Sequence, residues 1–309
     1  MADRILVLGA AGRLGHAAAA AFRDAGWHVV SFVRPGAGER APRGTEIMES
    51  IAREDVMTAA RRVDVVLHAL NLPYPQWHAA ALPYAYSAID AAEGAGATLL
   101  FPGNLYNYGD AMPAVLDEGT PMRPSTRKGR LRDAMELRMR EAADRGVRTI
   151  ILRAGDFFGA GRGSWFDLVV AKDVRRGRVT YPGPLDVVHE WAYLPDYAAA
   201  LVRLTERRAT LSPFESFGFA GHAVTGRQMI DAIAAAAHRE LQVKRMGWWM
   251  VKTAGRLFAM GRELAELEYL WRVPHRISGE KLTSLIGEVP HTPLDAAIAA
   301  ALRDLTDGR

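Results

Sequence analysis

The feature that most constrains this sequence is a short apolar run, Arg4-Ile-Leu-Val-Leu, that passes directly into three glycines spaced three residues apart. The run is too short for a buried helix, and it is typical of a buried strand that turns into a helix. At such a turn Gly9 lets the chain reverse, Gly12 lets backbone approach a pyrophosphate, and Gly15 lets the helix pack closely on the strand. We therefore predict a phosphate-binding turn made of Gly9, Ala11, Gly12, Arg13, Leu14 and Gly15.

The end of the second strand indicates which dinucleotide this turn would hold. That strand, His28–Arg34, ends in Arg34, where an acidic side chain would bind a ribose 2′-hydroxyl and an arginine can pair with a 2′-phosphate. With Arg13 as its companion, Arg34 favours NADP as cofactor, and NAD stays open. The alternative is that both are surface arginines. Asp55, at a helix start, is either a helix cap or an acceptor for the adenine amino group.

Further β-branched and apolar runs follow, each separated from the next by a helical segment. We expect strands at 45–51, 64–70, 98–104, 148–153 and 214–220, and helices at 75–93 and, capped by Ser125, 126–145. Strict alternation predicts an α/β fold with a doubly wound parallel sheet of the Rossmann type. Asn71 and Asn104 follow two of these strands, at the edge where such sheets bind ligands.

The pattern loosens after residue 160, which suggests two regions. We assign 1–160 and 186–222 to the Rossmann domain, and 161–185 and 223–309 to a smaller, mainly helical region that binds substrate. Ser164–Arg175 looks helical. The many large apolar side chains between Trp248 and Trp271 form either the wall and lid of a substrate pocket or a small core.

Composition excludes several classes of partner. Thirty-nine Lys and Arg against 35 Asp and Glu leave a scattered net charge of +4, which does not imply nucleic acid. The sequence has no cysteine, and its nine histidines show no metal-ligand spacing. Its apolar stretches are shorter than the ~20 residues of a membrane span. We expect a cytoplasmic protein with a small-molecule substrate, without a metal, and compatible with a homodimer.

Lys128, Arg132 and Glu136 recur every four residues on one face of the helix that follows the cofactor-side loop. Such a ladder is usually a solvated stripe of salt bridges. Its position favours Lys128 pointing into the site. His68, within a buried strand, is more typical of a packed histidine than of a catalyst.

The sequence resembles the short-chain dehydrogenase/reductase superfamily, in the extended branch that includes nucleotide-sugar epimerases and dehydratases. The resemblance rests on the order of the motifs GAAGRLG at 9–15, Asp55-Val56, LHALN at 67–71, Tyr108-Gly109, RAGDFFGAG at 153–161 and YLPDYA at 193–198. It implies a Rossmann domain that binds NAD(P) and a smaller C-terminal domain that closes over substrate.

The same resemblance shows a departure at the reacting end. Family members carry a Ser or Thr before the Tyr-Gly pair and then Tyr-x-x-x-Lys on the next helix. Here the corresponding positions are Asn104, Lys128 and Arg132. A positioned general acid contributes about 100- to 10,000-fold to a rate, so ordinary family chemistry does not follow automatically.

Two functions remain open. In the first, an NADP-preferring oxidoreductase or epimerase/dehydratase-like enzyme has a rebuilt site: Asn104 polarises a carbonyl, and Lys128, partly desolvated beside Arg132, donates a proton near neutrality. Tyr106 or Tyr108 can supply a phenol, and His189 or Glu190 can reach in from the substrate side. We take Asn104, Tyr108 and Lys128 as the candidate catalytic residues, with Lys128 also holding cofactor. In the second, the protein is a catalytically silent, NmrA-like dinucleotide sensor.

Overall fold

The computed structural model describes residues 2–306 as strands alternating with helices. The strands are β1 (Arg4–Leu8), β2 (His28–Val33), β3 (Glu46–Glu49), β4 (Val65–His68), β5 (Thr98–Gly103), β6 (Val115–Leu116), β7 (Thr149–Arg153), β8 (Asp156–Phe158), β9 (Arg178–Tyr181), β10 (Val188–Tyr193), β11 (Phe214–Gly218), β12 (His222–Thr225), β13 (Gln242–Arg245) and β14 (Arg276–Ile277). The α-helices are α1 (Arg13–Asp24), α2 (Arg53–Ala60), α3 (Tyr74–Ala95), α4 (Arg127–Ala143), α5 (Leu194–Glu206), α6 (Gly226–Ala236), α7 (Trp248–Ala254), α8 (Ala259–Ala265), α9 (Glu280–Ile286) and α10 (Leu294–Thr306).

Seven of these strands form one parallel sheet in the order β11-β7-β5-β4-β1-β2-β3. Side chains on β1 alternate between two apolar layers: Leu6 and Leu8 face α2, α3 and α4, whereas Ile5 and Val7 face α1 and α5. Both faces of the sheet are therefore covered, as the continuous apolar runs require. The predicted Rossmann-type doubly wound sheet is confirmed.

A third apolar core lies in the C-terminal region. It is built around Phe158, Trp191, Trp248 and Trp271, with side chains of α6 and α10. Besides helices this region contains the parallel pair β9–β13, and the sheet β12-β10-β8 lies beside it, formed mostly by residues assigned to the Rossmann domain. Leu282 of α9 packs in the core of the large sheet, which ties the end of the chain to the Rossmann part.

Several element ends differ from their predicted positions. The helix expected at 126–145 is α4, and its N-cap is Thr126, whose hydroxyl accepts from the Gly129 amide at 3.1 Å. Ser125 as the cap was wrong, since its hydroxyl accepts from the Asp110 amide outside the helix. Ser164–Arg175 forms only two short helical turns, Phe166–Val170 and Val174–Arg176.

The aromatic segment around 248–271 divides into two parts. Trp248, Leu270 and Trp271 are buried in cores, whereas Trp249 and Phe258, on and after α7, are 71% and 66% exposed. The segment is therefore partly core and partly surface. None of the helices within residues 2–306 is long and apolar enough to cross a bilayer.

Candidate active site

The glycine turn between β1 and α1 has the geometry its spacing predicts. Gly9 adopts φ +87°, and a Cβ there would lie 2.9 Å from the carbonyl oxygen of Ala69 on the neighbouring strand end. A Cβ on Gly15 would overlap the carbonyl oxygen of Gly9, so only glycine lets α1 approach the turn this closely. A Cβ on Gly12 would lie 3.2 Å from the same oxygen. The turn is thus a bare backbone surface.

Helix α1 begins directly behind this surface. Its N-cap, Gly12, is exposed and has no side chain, while Ala11 and Leu14 are half-buried. The first-turn N–H groups of a helix have no intrahelical partner, and the helix dipole favours an anion beside them. These residues fit a pyrophosphate, because no Cβ lies between it and the backbone donors. Asn71, just past β4, is also exposed at this edge.

The two arginines proposed for a 2′-phosphate are placed differently. Arg34 is exposed directly after β2. Arg13 is largely buried and pairs with Asp167, Nη1 to Oδ1, at 3.3 Å. The loop beside Arg34 is closed by Glu49, whose carboxylate accepts from the amides of Gly36 and Gly38 at 2.8 and 2.9 Å.

A third arginine, which sequence reasoning missed, lies against the glycine turn. Arg40 is exposed and donates to the carbonyl oxygen of Ala11 at 3.2 Å. It follows β2 at a distance that no motif marks. Asp55 lies in the first turn of α2 and accepts from the Ser50 hydroxyl, while the N-cap of that helix is Ala52.

Asn104 and Tyr108 belong to one buried cluster centred on an ion pair. Arg153 at the end of β7 makes a two-point contact with Glu136 of α4, with Nη2 to Oε2 at 2.8 Å, and also donates to the Asn104 carbonyl. Its guanidinium lies 5.3 Å from the centre of the Tyr108 ring, whose hydroxyl is 3.5 Å from the Asp117 carbonyl. The Asn104 side-chain oxygen accepts from the Tyr106 amide at 3.1 Å.

Lys128 lies in a different environment. Its side chain is 1% exposed, and its Nζ is paired with the carboxylates of Glu263 and Glu266 and hydrogen-bonded to the Glu263 carbonyl. Arg127 holds the same two carboxylates from outside. Helix α8 is thereby tied to the start of α4. The structure does not bring Lys128 together with the Tyr108 hydroxyl, and it surrounds Lys128 with negative charge.

Arg132, one turn further along α4, is enclosed by aromatic rings. Its guanidinium lies 4.9 Å from the Phe101 ring centre and 5.5 Å from that of Trp77, and it donates to the Pro102 carbonyl at 3.2 Å. The Nε atom of Arg132 is buried without a hydrogen-bond partner. The predicted ladder of Lys128, Arg132 and Glu136 is therefore not a solvated stripe, because each member has a separate set of buried partners.

Two tyrosine hydroxyls meet close to this position. Tyr74, at the start of α3, and Tyr106, after β5, have their hydroxyl oxygens 2.9 Å apart. Burial, opposed by the hydrogen bond from Tyr106 and supported by the charge of Asp156, raises the pKa of Tyr74 to about 12. Burial also raises the pKa of Tyr106 well above its usual value. Both phenols are therefore protonated at neutral pH. Tyr74 was not among the residues singled out from sequence.

A carboxylate and an imidazole face each other at the end of β7. Asp156 opens β8, and its Oδ2 lies 2.9 Å from Nε2 of His189 on the adjacent strand β10. The side chain of Asp156 is 20% exposed and that of His189 is 3% exposed. Sequence reasoning considered His189 but missed Asp156. Its place inside RAGDFFGAG, directly after a strand, is the signal that marks it.

Two other candidates, His68 and Glu190, have contacts typical of structural residues. His68 is buried against Phe101, and burial lowers its pKa to about 4, so it is a neutral, packed histidine. Glu190 points away from the cleft and accepts from the amides of Gly221 and Ile277 at 2.7 and 3.0 Å. Within residues 2–306, no group of three or more His, Asp or Glu side chains could hold a metal ion.

Comparison with known proteins gives relatives for this geometry. A protein of Streptomyces sp. named 3-diazoavenalumate denitrifying reductase is 29% identical over 226 residues, which are 67% of this chain and 73% of the relative. A putative epimerase from Burkholderia cenocepacia J2315 superimposes with a TM-score of 0.78 at 22% identity, covering 99% of this chain and 98% of that one. UDP-glucose 4-epimerase from Brucella ovis, solved in complex with NAD, gives 0.78 at 17% identity, covering 99% of each.

These structural likenesses, all below 25% identity, establish the fold. The family follows from the sequence, because the pattern of the NAD dependent epimerase/dehydratase family matches residues 5–217, from β1 to β11. That span includes the glycine turn, the candidate residues Asn71 and Asn104, and the Asp156–His189 pair. The chain belongs to the NAD-dependent epimerase/dehydratase family.

Proposed function

We propose that this protein is an NADP-preferring oxidoreductase that reduces a small carbonyl substrate. The observation that carries the proposal is the bare glycine turn. Three positions exclude or crowd a Cβ, and the free end of α1 lies directly behind them. A turn built only to connect two elements needs no such access to its backbone.

The cofactor contacts follow from these positions. The amides of Arg13 and Leu14 bind the pyrophosphate over the bare Cα of Gly12, with Ala11 and Asn71 at its sides. Arg34 and Arg40, both exposed near the end of β2, bind the 2′-phosphate, and Arg13 aids them only if it leaves Asp167. Asp55 accepts from the adenine. When bound, the dinucleotide supplies the hydride, which is chemistry that side chains cannot provide.

The reacting end uses the groups nearest the replaced family positions. The phenols of Tyr106 and Tyr74, hydrogen-bonded to each other, provide a hydroxyl that can hydrogen-bond a carbonyl oxygen, whereas the Tyr108 hydroxyl is directed to the Asp117 carbonyl. The buried charge of Arg132 and the side-chain amide of Asn104 polarise the same oxygen. Lys128 holds the ribose only after α8 has moved away from it, since its Nζ is engaged by Glu263 and Glu266.

Net reduction is favoured over internal oxidation and re-reduction. The Streptomyces relative is named a reductase, and this chain matches two thirds of its own length to it. The C-terminal region is rich in aromatic side chains, and in its core Trp271 packs against both Trp165 and Tyr181. We therefore propose a ring-bearing carbonyl compound as the substrate class.

One observation favours a second function. Lys128 occupies the family's proton-donor position and is sealed by α8, beside a cavity of about 360 Å³ lined by Trp77, Arg127 and Glu263 among others. A dinucleotide sensor of the NmrA type has no use for a proton donor and can lock that position in this way. Turnover of a substrate separates the two functions.

The first experiment is a fluorescence titration with NADPH and NADH. Gly12→Ala keeps an allowed backbone, since φ at Gly12 is −82°, but places a methyl group on the proposed pyrophosphate surface. We expect it to weaken NADPH binding by about tenfold or more, which is about 1.4 kcal/mol. The matched control is Gly119→Ala, whose added Cβ would meet only the Asp117 side chain, at 3.6 Å. Equal binding by Gly12→Ala and the control would refute the site.

The second experiment measures NADPH oxidation with a panel of aromatic and aliphatic aldehydes and ketones. Turnover of ring-bearing compounds, lost in Gly12→Ala, supports the reductase. Tight NADPH binding without turnover of any compound would reject the reductase in favour of the sensor.

A further inference from the structure

The charge of Asp156 acts on ionisable side chains from several segments of the chain. The side chain opens β8 at the carboxyl end of β7, on the same edge as the glycine turn. After burial, its charge contributes to the raised pKa of tyrosines on four different segments: Tyr74, Tyr106, Tyr181 and Tyr269. It also acts on Arg13 beside the turn. Asp156 therefore lies where the Rossmann part and the C-terminal region face each other.

The hydrogen bonds of His189 require a proton between this histidine and Asp156. Nδ1 of His189 lies 3.3 Å from the Leu270 carbonyl, which only accepts, so Nδ1 carries a hydrogen. Nε2 lies 2.9 Å from Oδ2 of Asp156. An ionised carboxylate facing a bare Nε2 would place two acceptors in contact. The pair is therefore either a carboxylic acid with a neutral ring or a carboxylate with an imidazolium.

The neighbouring side chains fix the orientation of the His189 ring. The His189 ring stacks on Trp271 at 4.3 Å with an angle of 5° between the planes, which fixes its orientation. His275 approaches its edge at 4.7 Å, and burial, then the charge of His189, lower the pKa of His275 to about 3, so His275 stays neutral. The other charged or titratable groups facing the pair are Arg13 with Asp167, and the phenols of Tyr74, Tyr106, Tyr181 and Tyr269.

Asp156 also has an acceptor atom left for a ligand. Among residues 2–306, no protein group is hydrogen-bonded to its Oδ1. Its 20% exposure connects it to solvent, whereas His189 is enclosed behind it. The pair thus has a closed end, which orients, and an open end, which can exchange a proton.

We propose that Asp156 is the proton donor of the reaction and that His189 is its positioning partner. This inference rests on the proposed reductase function, and it gives the role of the family tyrosine, expected at Lys128 of α4, to a carboxyl group on β8. As the carbonyl carbon gains a hydride from the reduced nicotinamide dinucleotide, the carbonyl oxygen gains the proton of the Asp156–His189 pair. The carbonyl double bond becomes an alcohol, the pair is left with one proton fewer, and water restores it.

The kinetic test compares Asp156→Asn and His189→Gln with wild type in NADPH-dependent reduction of aromatic aldehydes from pH 5 to 9. Asn keeps the shape of Asp156 but cannot hold the proton, so we expect kcat/KM to fall about 100-fold or more. His189→Gln is expected to lower kcat and to displace the alkaline limb of the pH profile. NADPH affinity stays within about twofold in both. The control is Asp173→Asn, a 33% exposed carboxylate that, among residues 2–306, is paired with Arg176. Activity of Asp156→Asn within threefold of wild type overturns the proposal.

A second measurement does not depend on turnover. In protein labelled with ¹⁵N-histidine and free of dinucleotide, the ring nitrogens of His189 are observed by NMR. Because Nε2 lies 2.9 Å from Oδ2 of Asp156, we expect Asp156→Asn to change the chemical shift of Nε2. An unchanged Nε2 shift overturns the pairing. If wild type binds NADPH but reduces no aldehyde, the reductase function fails, and this measurement alone decides whether Asp156 and His189 are paired.

Discussion

The ion pairs between α4 and α8 give the sharpest test of how α8 is held against α4. Lys128 is 1% exposed and its ammonium is held by Glu263 and Glu266, with Nζ to Oε2 of Glu266 at 3.1 Å. Glu263 has a second partner in Arg127, at 2.8 Å, whereas the Lys128 ammonium is paired with the Glu263 and Glu266 carboxylates and lies 5.0 Å from the centre of the Tyr74 ring. Removing the charge of Glu263 therefore leaves a buried cation short of compensation. Removing Lys128 leaves both carboxylates with Arg127.

This difference between Glu263 and Lys128 determines how much unfolding free energy each substitution should cost. Breaking a buried ion pair costs about 3–5 kcal/mol when one charge is left uncompensated. Glu263→Gln keeps an acceptor, and Glu266 keeps its charge, so we expect about 2–3 kcal/mol. Lys128→Met replaces the ammonium by an apolar chain of similar length, and about 1 kcal/mol or less is expected. In the double variant most of the cost of Glu263→Gln disappears, because the cation is gone.

The assay is thermal unfolding by calorimetry. An unfolding entropy of about 2.1 cal/mol/K per residue gives about 0.65 kcal/mol/K for 309 residues, so Glu263→Gln should lower Tm by about 3–5 °C. Lys128→Met should lower it by about 1–2 °C, and the double variant should match Lys128→Met. Equal losses in the two single variants that add in the double variant would refute the asymmetry.

Three further outcomes follow from the structure. Arg34→Ala should weaken NADPH by about tenfold, or about 1.4 kcal/mol, and leave NADH unchanged in a fluorescence titration; an unchanged preference would exclude Arg34. Gly15→Ala should cost about 1–3 kcal/mol in thermal unfolding, because its methyl group overlaps the Gly9 carbonyl; wild-type stability would contradict that packing. Burial raises the pKa of Glu190 to about 7, so the folded protein binds a proton that the unfolded chain releases above its usual value of 4.5. Stability should therefore fall by about 1.4 kcal/mol per pH unit between these values, and Glu190→Gln, followed by Tm against pH, should remove that slope.

The fold was predictable because its signals are local. The glycine spacing at 9, 12 and 15 and the apolar runs specify where strands end and helices begin, and the observed ends of β1 and β2 agree within a residue. The capping residue is harder to predict, because two neighbouring hydroxyls can each serve as the cap. Thr126 caps α4, whereas the Ser125 hydroxyl accepts from the Asp110 amide.

The contacts of the candidate site residues were predictable only in part, because their partners are distant in sequence. The surroundings of Lys128 depend on Glu263, 135 residues away. Arg13 meets Asp167 across 154 residues, and Asp156 meets His189 across 33. Spacing along one helix gives a shared face but no information on which element packs against it. The assumed like-charge environment of Lys128 was wrong for this reason.

A crystal structure of the protein grown with NADPH would test most directly whether the glycine turn between β1 and α1 binds the dinucleotide. We expect the pyrophosphate on the backbone amides at the start of α1, against Gly12, with the nicotinamide directed toward Asp156 and Tyr106. A dinucleotide bound elsewhere, or a glycine turn covered by side chains in the presence of excess NADPH, would contradict it.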